Sequence, residues 1–170
     1  MNPFPSLTIR AGSQTGVDRA ALDTAIRLGL PYTGWCPKGG WAEDRPVAPG
    51  VRKDYPFLSE TPSDRAQQRT AWNVRDAHAT LILTVGDDLT PFGGSEFGYI
   101  MARLVFLKPC LVNDIRSPAD PAEVRDWIAH TAAGIGVNEM VLNIAGPRES
   151  EVKGAYVAAS RFLTSALQAR

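Results

Sequence analysis

Short apolar runs alternate along the chain with longer segments whose apolar residues recur at helical spacing. The apolar runs predict five β-strands, over residues 7–11, 32–36, 79–84, 109–113 and 139–145. The periodic segments predict five helices, over about residues 16–28, 64–77, 95–107, 120–135 and 149–168. The fourth helix has a readable start in Asp120 and Pro121, an acidic cap followed by proline, and it ends near Gly136.

Strands that alternate with helices predict an α/β fold with a mostly parallel sheet. We expect a Rossmann-like, doubly wound, five-stranded sheet with helices on both faces, in one domain over residues 1–170. The favoured strand order is 2-1-3-4-5, which makes the first and third strands neighbours at the switch point where ligands bind. Residues 37–62 are rich in Pro, Gly and charge, and they predict a long loop that is functional or mobile.

Composition narrows the classes of function. Lys and Arg number 18, as do Asp and Glu, so the formal net charge is zero and nucleic acid is not an expected partner. No apolar run approaches the roughly 20 residues that span a bilayer, and residues 1–6 lack the pattern of a signal peptide. We therefore expect a cytoplasmic protein with no membrane contact. Cys36 and Cys110 stand alone, so we expect reduced thiols and no metal site.

Two glycine-rich loops, each between a predicted strand and a helix, are the main candidates for ligand binding. The first contains Gly12, Ser13, Gln14, Thr15 and Gly16; the second spans residues 90–95 and includes Gly93, Gly94 and Ser95. Glycine lets the backbone approach a ligand, and the helix N-terminus behind each loop favours a phosphate or another anion. Glycine in either loop alone could equally serve the turn.

Basic residues near the carboxyl ends of the predicted strands could support such an anion. They are Arg19, Lys38, Arg45, Arg69 and Arg148. The alternative is that each one is a solvated surface residue. Arg69, Asn73 and Asp76 share one helix face, where ligand contact and internal pairing are equally good interpretations. His78 and His130 stand apart from any nucleophile or carboxylate arrangement, so we expect structural roles and name no catalytic residue.

The motifs together resemble the molybdenum carrier family, also described as molybdenum cofactor carrier proteins. This is a circularly permuted, YpsA-like branch of the Rossmann-like SLOG superfamily, which also holds lysine-decarboxylase-like phosphoribohydrolases. Matching stretches include residues 12–21, 34–39, 43–44, 60–63, 69–76, 93–95, 108–112 and 142–150. The resemblance implies a Rossmann-like fold, binding of molybdenum cofactor or molybdate, and delivery to molybdoenzymes. It also adds Asp18, in the stretch that follows the first glycine loop, to the expected ligand site.

One departure bears on activity. The phosphoribohydrolase relatives carry a catalytic Glu three residues after a Thr that aligns with Ser95, and this chain has Gly98 there. Glu96 lies roughly 200° around the helix from that position, at about 100° per residue. The resemblance therefore favours a carrier for molybdenum cofactor or molybdate, or a sensor of nucleotide-derived ligands. An enzyme that hydrolyses an N-glycosidic bond is the alternative, so whether the protein is an enzyme stays open.

The third predicted helix suggests self-association. Residues 95–107 are apolar nearly all round, with Glu96, Tyr99 and Arg103 as the main polar residues. A helix that covers one sheet face normally keeps a polar side, so part of this surface is expected to be exposed and to form an interface. We predict a homo-oligomer through residues 95–107. The alternative is that neighbouring helices or residues 37–62 cover this helix.

Overall fold

The structure is a computed structural model that describes residues 4–86, 89, 92–116 and 120–168. Six β-strands and five α-helices are assigned in this part of the chain. The strands are β1 Ser6–Arg10, β2 Tyr32–Cys36, β3 Leu58–Glu60, β4 Ala79–Thr84, β5 Cys110–Asp114 and β6 Glu139–Ala145. The helices are α1 Val17–Arg27, α2 Ala66–Arg75, α3 Gly93–Ile100, α4 Pro121–Ile135 and α5 Ala155–Leu167.

The strands form one parallel sheet in the order β3-β2-β1-β6-β4-β5. The α/β, Rossmann-like prediction is confirmed, but two details of the sheet were wrong. The sheet has a sixth strand, β3, within the segment expected to be loop. The predicted order 2-1-3-4-5 is also wrong, because β6 pairs with both β1 and β4 and separates them.

Helices cover both faces of the sheet. α5 packs against α1 and α4 on one face, and α2 packs against α3 on the other. Every strand–helix–strand crossover therefore has the same hand, as parallel sheets require. The main hydrophobic cluster lies under α1, α4 and α5 and includes Ile9, Leu81 and Leu142.

The sheet face under α2 and α3 is more polar. Arg10, Asn143 and Thr80 are register partners on three adjacent strands and form a polar row across this face. The Asn143 amide donates to the Thr80 hydroxyl at 3.4 Å. The apolar core is therefore concentrated on one side of the sheet.

Local chemistry accounts for the helix ends. The Asp120 carboxylate accepts a hydrogen bond from the Ala122 N–H at 2.8 Å, Pro121 begins α4, and Gly136 ends it in the left-handed conformation, as predicted. α5 begins at Ala155 and not at residue 149. The Glu149 carboxylate accepts hydrogen bonds from the N–H groups of Gly154 and Tyr156, so the residues before α5 form a turn that caps it.

Two further segments differ from the prediction. α3 ends at Ile100 and continues as one π-helical turn, Met101–Val105. Residues 37–62 contain 3₁₀ turns at Lys38–Gly40 and Gly50–Lys53 before β3. No helix in the described part of the chain is long and apolar enough to cross a membrane.

Candidate functional site

The carboxyl ends of β1, β6 and β4 form the central edge at which the candidate residues gather. Because β6 lies between them, β1 and β4, the strands that precede the two glycine loops, are two strand spacings apart, about 10 Å. The segment after β6 lies against the first loop: the Val17 N–H donates to the Pro147 carbonyl at 3.2 Å. A Cβ on Gly16 would lie 2.3 Å from that same carbonyl oxygen. Gly16 is thus required by backbone packing against residues 147–149.

Several polar groups of the first glycine loop form hydrogen bonds with one another or with Asp18. The Gln14 N–H donates to Asp18 at 3.3 Å, and the Thr15 N–H donates to the Gln14 side-chain oxygen at 3.0 Å. Ser13 is fully buried at φ 65° and donates its hydroxyl to the Gly12 carbonyl at 2.6 Å. These groups are therefore engaged within the protein. A phosphate bound here would have to be held by the remaining N–H groups and by side chains.

A buried ion pair joins α2 to the first glycine loop. Arg69 Nη1 lies 3.0 Å from Asp18 Oδ2, and the Asp18 side chain is 4% exposed. Burial raises the pKa of Asp18, and the Arg69 charge opposes that shift. A Cβ on Gly12 would lie 1.9 Å from Arg69 Nη1, so glycine is needed for the guanidinium to cross the end of β1. The Nε of Arg69 is buried and has no hydrogen-bond partner among the described residues.

Acidic side chains surround Thr15 and Arg19. Glu43 accepts hydrogen bonds from the hydroxyls of Thr15 and Ser150. Burial disfavours the ionised form of Glu43, but these hydrogen bonds outweigh it and lower its pKa. Arg19 donates to both carboxylate oxygens of Asp44, at 2.9 and 3.0 Å. Sequence reasoning gave no role to Glu43, Asp44 or Ser150, although Glu43 and Asp44 lie in a stretch that carried the resemblance.

Two cavities stand out among the described residues. One, of about 540 Å³, opens between α1 and α5 and includes Asp23, whose carboxylate accepts hydrogen bonds from the Tyr55 and Tyr156 hydroxyls. It adjoins the first glycine loop and is lined by the candidate residues Thr15, Gly16, Arg19 and Arg45. The other, of about 1460 Å³, is an open groove at the amino ends of the strands and is lined in part by Arg27 and His130.

At the start of α3, the Ser95 and Glu96 N–H groups donate to the Phe92 carbonyl, at 2.7 and 3.0 Å. Gly93 and Gly94 are exposed, and their N–H groups have no hydrogen-bond partner among the described residues. A Cβ on either glycine would meet no atom within 4 Å. Ser95 is 3% exposed, and its buried hydroxyl has no partner in the described structure. Free N–H groups at a helix N-terminus and an unpaired buried hydroxyl are a favourable arrangement for an anion.

α2, the helix that carries Arg69, packs against α3. A Cβ on Gly98 of α3 would lie 3.7 Å from the Thr70 methyl group, and Thr70 is the neighbour of Arg69. Arg69 therefore lies on the helix that joins the first glycine loop to α3. Gly98 is buried at this helix–helix contact.

The comparisons with known proteins agree with this architecture. The family model described as "Circularly permutated YpsA SLOG family" matches residues 9–167. The chain belongs to this family. Among solved structures, it is similar to the "Putative molybdenum carrier protein" from Syntrophus aciditrophicus, with 34% sequence identity and a TM-score of 0.79. That likeness covers 98% of each chain. No curated protein matches the chain.

Several residues expected at the site have other contacts in this member of the permuted YpsA family. The Asn73 side chain accepts a hydrogen bond from the Trp35 N–H at 2.8 Å and donates to the Trp35 carbonyl at 2.9 Å. Asp76 accepts a hydrogen bond from the Trp35 indole at 2.6 Å. Arg69, Asn73 and Asp76 share one face of α2. Asn73 and Asp76 form hydrogen bonds within the protein, to Trp35.

The remaining predicted basic residues lie farther from the start of α3. Lys38 is exposed in the 3₁₀ turn after β2, two strand positions from β6. Arg148 lies in the segment after β6, beside the first glycine loop, and pairs with Glu151 at 3.1 Å. Arg45 pairs with Asp44 and Asp54 at 3.2 and 3.0 Å. Residues 90 and 91 of the second glycine loop lie outside the described residues.

Proposed function

We propose that this protein is a binding and carrier protein for a small phosphate- or oxyanion-bearing ligand, namely molybdenum cofactor or molybdate. The observation that carries the proposal is the start of α3. There the N–H groups of Gly93 and Gly94 and the buried hydroxyl of Ser95 are neighbours, and none of them has a partner in the part of the chain that the structure describes. Phosphate and molybdate both present oxygen acceptors to such donors, and the helix dipole adds to the attraction.

The ligand would extend from α3 toward the first glycine loop. Arg69 supplies a positive charge on the way, and its ion pair with Asp18 fixes its position. At the first loop, Gly12, Ser13, Gln14, Thr15, Gly16 and Arg19 would form the other wall, with Arg148 at its rim. A ligand that reaches both loops must bridge strands that are about 10 Å apart, which suits a pterin that carries a phosphate better than a lone oxyanion. Lys38 and Asn73 would not touch the ligand. Asn73 would support the site indirectly, through its hydrogen bonds to the Trp35 backbone in β2.

The name of the Syntrophus relative supports a ligand that contains molybdenum. The carrier role is further supported by Gly98, which packs on Thr70 where the phosphoribohydrolase relatives have a catalytic Glu. As a carrier, the protein would hold its cargo in the cytoplasm and deliver it to molybdoenzymes. Hydrolysis of an N-glycosidic bond would need an acid or base that comes from another position.

Titration calorimetry with sodium molybdate, and separately with inorganic phosphate, tests the anion site. We expect Ser95→Ala to weaken binding about 10-fold, because a hydrogen bond to a charged group contributes about 1.5 kcal/mol. Gly94→Val should weaken binding by blocking approach to the helix N-terminus. Gly134→Val is the matched control, since Gly134 lies in α4 with no atom within 4 Å of a built Cβ.

Wild-type affinity in both α3 variants would remove the start of α3 from the site. An equal loss in Gly134→Val would show a general effect of valine in a helix, and the proposal would then lose its support from Gly94→Val. Circular dichroism on each variant verifies that the fold is retained.

A further inference from the structure

A contiguous apolar surface lies on α3 and the π-helical turn that follows it. Of the twelve exposed large apolar side chains among the described residues, five fall within residues 99–107. They are Tyr99, Ile100, Leu104, Val105 and Leu107, of which Leu104 is 70% exposed and Leu107 79% exposed. Single exposed apolar residues are ordinary, but a cluster of this kind marks an interaction surface. We call residues 99–107 the α3 surface.

The backbone at the end of the α3 surface is costly for a monomer. Leu107 has φ 53°, a left-handed backbone conformation that residues other than glycine rarely adopt. Its side chain also stands in water, so the folded monomer gains little from having leucine there. A partner that covers Leu107 would make the leucine side chain favourable at this position.

The charges that flank this surface are complementary to a second copy of themselves. Glu96 and Arg103 make no ion pair with any described residue. They are seven residues apart, Glu96 in the first turn of α3 and Arg103 in the π-helical turn that follows it. Tyr99 and Ile100 are at the midpoint between them. Two antiparallel copies that cross at this midpoint would place Glu96 opposite the partner's Arg103, twice.

We propose that a second copy of this chain docks on the α3 surface, as a two-fold symmetric, antiparallel pair of α3 helices. A two-fold axis is the commonest symmetry of protein assemblies, and it explains opposite charges equally spaced about one apolar centre. The layer arrangement leaves room for this contact, since α2 and α3 cover one sheet face while α1, α4 and α5 cover the other. The proposal is independent of the ligand that the protein carries.

Light scattering after size exclusion, at protein concentrations from about 1 to 100 µM across the usual dimer range, tests the interface. Wild-type protein should have about twice the chain mass of 18.4 kDa. Leu104→Glu should be monomeric, because it places a charge in an apolar interface. Val47→Glu is the matched control at another apolar position that is 78% exposed, and it should stay dimeric. A monomeric wild type, or a dimeric Leu104→Glu, would overturn the proposal.

The charged pair tests the arrangement in a way that a folding defect cannot imitate. Arg103→Glu and Glu96→Lys each place like charges opposite one another, and each should raise the dimer dissociation constant at least 10-fold, roughly the effect of such juxtapositions. The double variant that carries both changes restores opposite charges and should restore the dimer. Failure of the double variant to dimerise would overturn the antiparallel arrangement, as would wild-type dimerisation of both single variants.

Discussion

Replacement of Gly16 by alanine tests whether the two loops at the carboxyl edge are held in direct backbone contact. Gly16 has φ 74° and ψ −127°, outside the regions open to other residues. A Cβ there would also lie 2.3 Å from the Pro147 carbonyl oxygen and 2.8 Å from the Glu149 nitrogen. Both atoms belong to backbone, so the overlap cannot be relieved by rotating a side chain.

The expected loss of stability has two parts. A residue with a Cβ costs about 1–3 kcal/mol in this positive-φ backbone. Overlap with fixed neighbours adds about 1–3 kcal/mol. We therefore expect Gly16→Ala to lower the free energy of unfolding by about 2–6 kcal/mol. For a chain of this size, at about 2–4 °C per kcal/mol, the melting temperature should fall by about 4–24 °C.

Gly136→Ala is the control for a positive φ without overlap. Gly136 has the same φ of 74° with ψ 34°, the left-handed region, and a Cβ there would meet no atom within 4 Å. Urea unfolding should show a loss of only about 1–2 kcal/mol for Gly136→Ala. The entropy that alanine removes from the unfolded chain is common to both variants and cancels in the comparison. If the two losses differ by less than about 1 kcal/mol, the lower end of the overlap expected from packing, the contact between the loops does not constrain Gly16.

Two further predictions concern groups around the site. Asn73→Ala should lower the free energy of unfolding by about 2–3 kcal/mol, because it leaves the Trp35 backbone unpaired; an unchanged urea midpoint would contradict this role. For Asp44, the hydrogen bond from Arg19 holds the pKa below its usual value of 3.8. The stability that this carboxylate adds is present above pH 3.8 and is lost as the pH falls through the lower folded value. The stability difference between wild type and Asp44→Asn should therefore shrink on acidification through that range; a difference that is constant with pH in urea unfolding would contradict it.

The sequence was sufficient to predict features that depend on local chemistry. Asp120, Pro121 and Gly136 determine the ends of α4 by contacts within a few residues, and these ends were predicted correctly. The position of β6 could not be predicted in the same way. Its pairing with β1 and β4 depends on which buried strand each neighbour meets in the folded chain, and the alternation of strands and helices carries no such information. β3 has only three residues, too few for a periodic signal.

The candidate site also combines features that local sequence predicts with features that only the folded chain creates. Glycine between a strand and a helix identified both loops from the sequence. The ion pair between Asp18 and Arg69 joins residues 51 positions apart, so only the fold brings it together. Likewise, no sequence pattern shows that the Gln14 and Thr15 N–H groups bind Asp18 and the Gln14 side chain, while those of Gly93 and Gly94 have no partner among the described residues. The sequence treated the two loops as equivalent, and the structure distinguishes them.

Native mass spectrometry, combined with elemental analysis for molybdenum, tests whether this protein holds a molybdenum-bearing or phosphate-bearing ligand at the start of α3. The samples are wild-type and Ser95→Ala protein purified without added ligand. We expect the wild type to carry molybdenum or a phosphopterin mass in a substantial fraction of molecules, and Ser95→Ala to carry much less. Wild-type protein from molybdenum-replete cells that carries neither, or equal loading of the two proteins, would contradict the account.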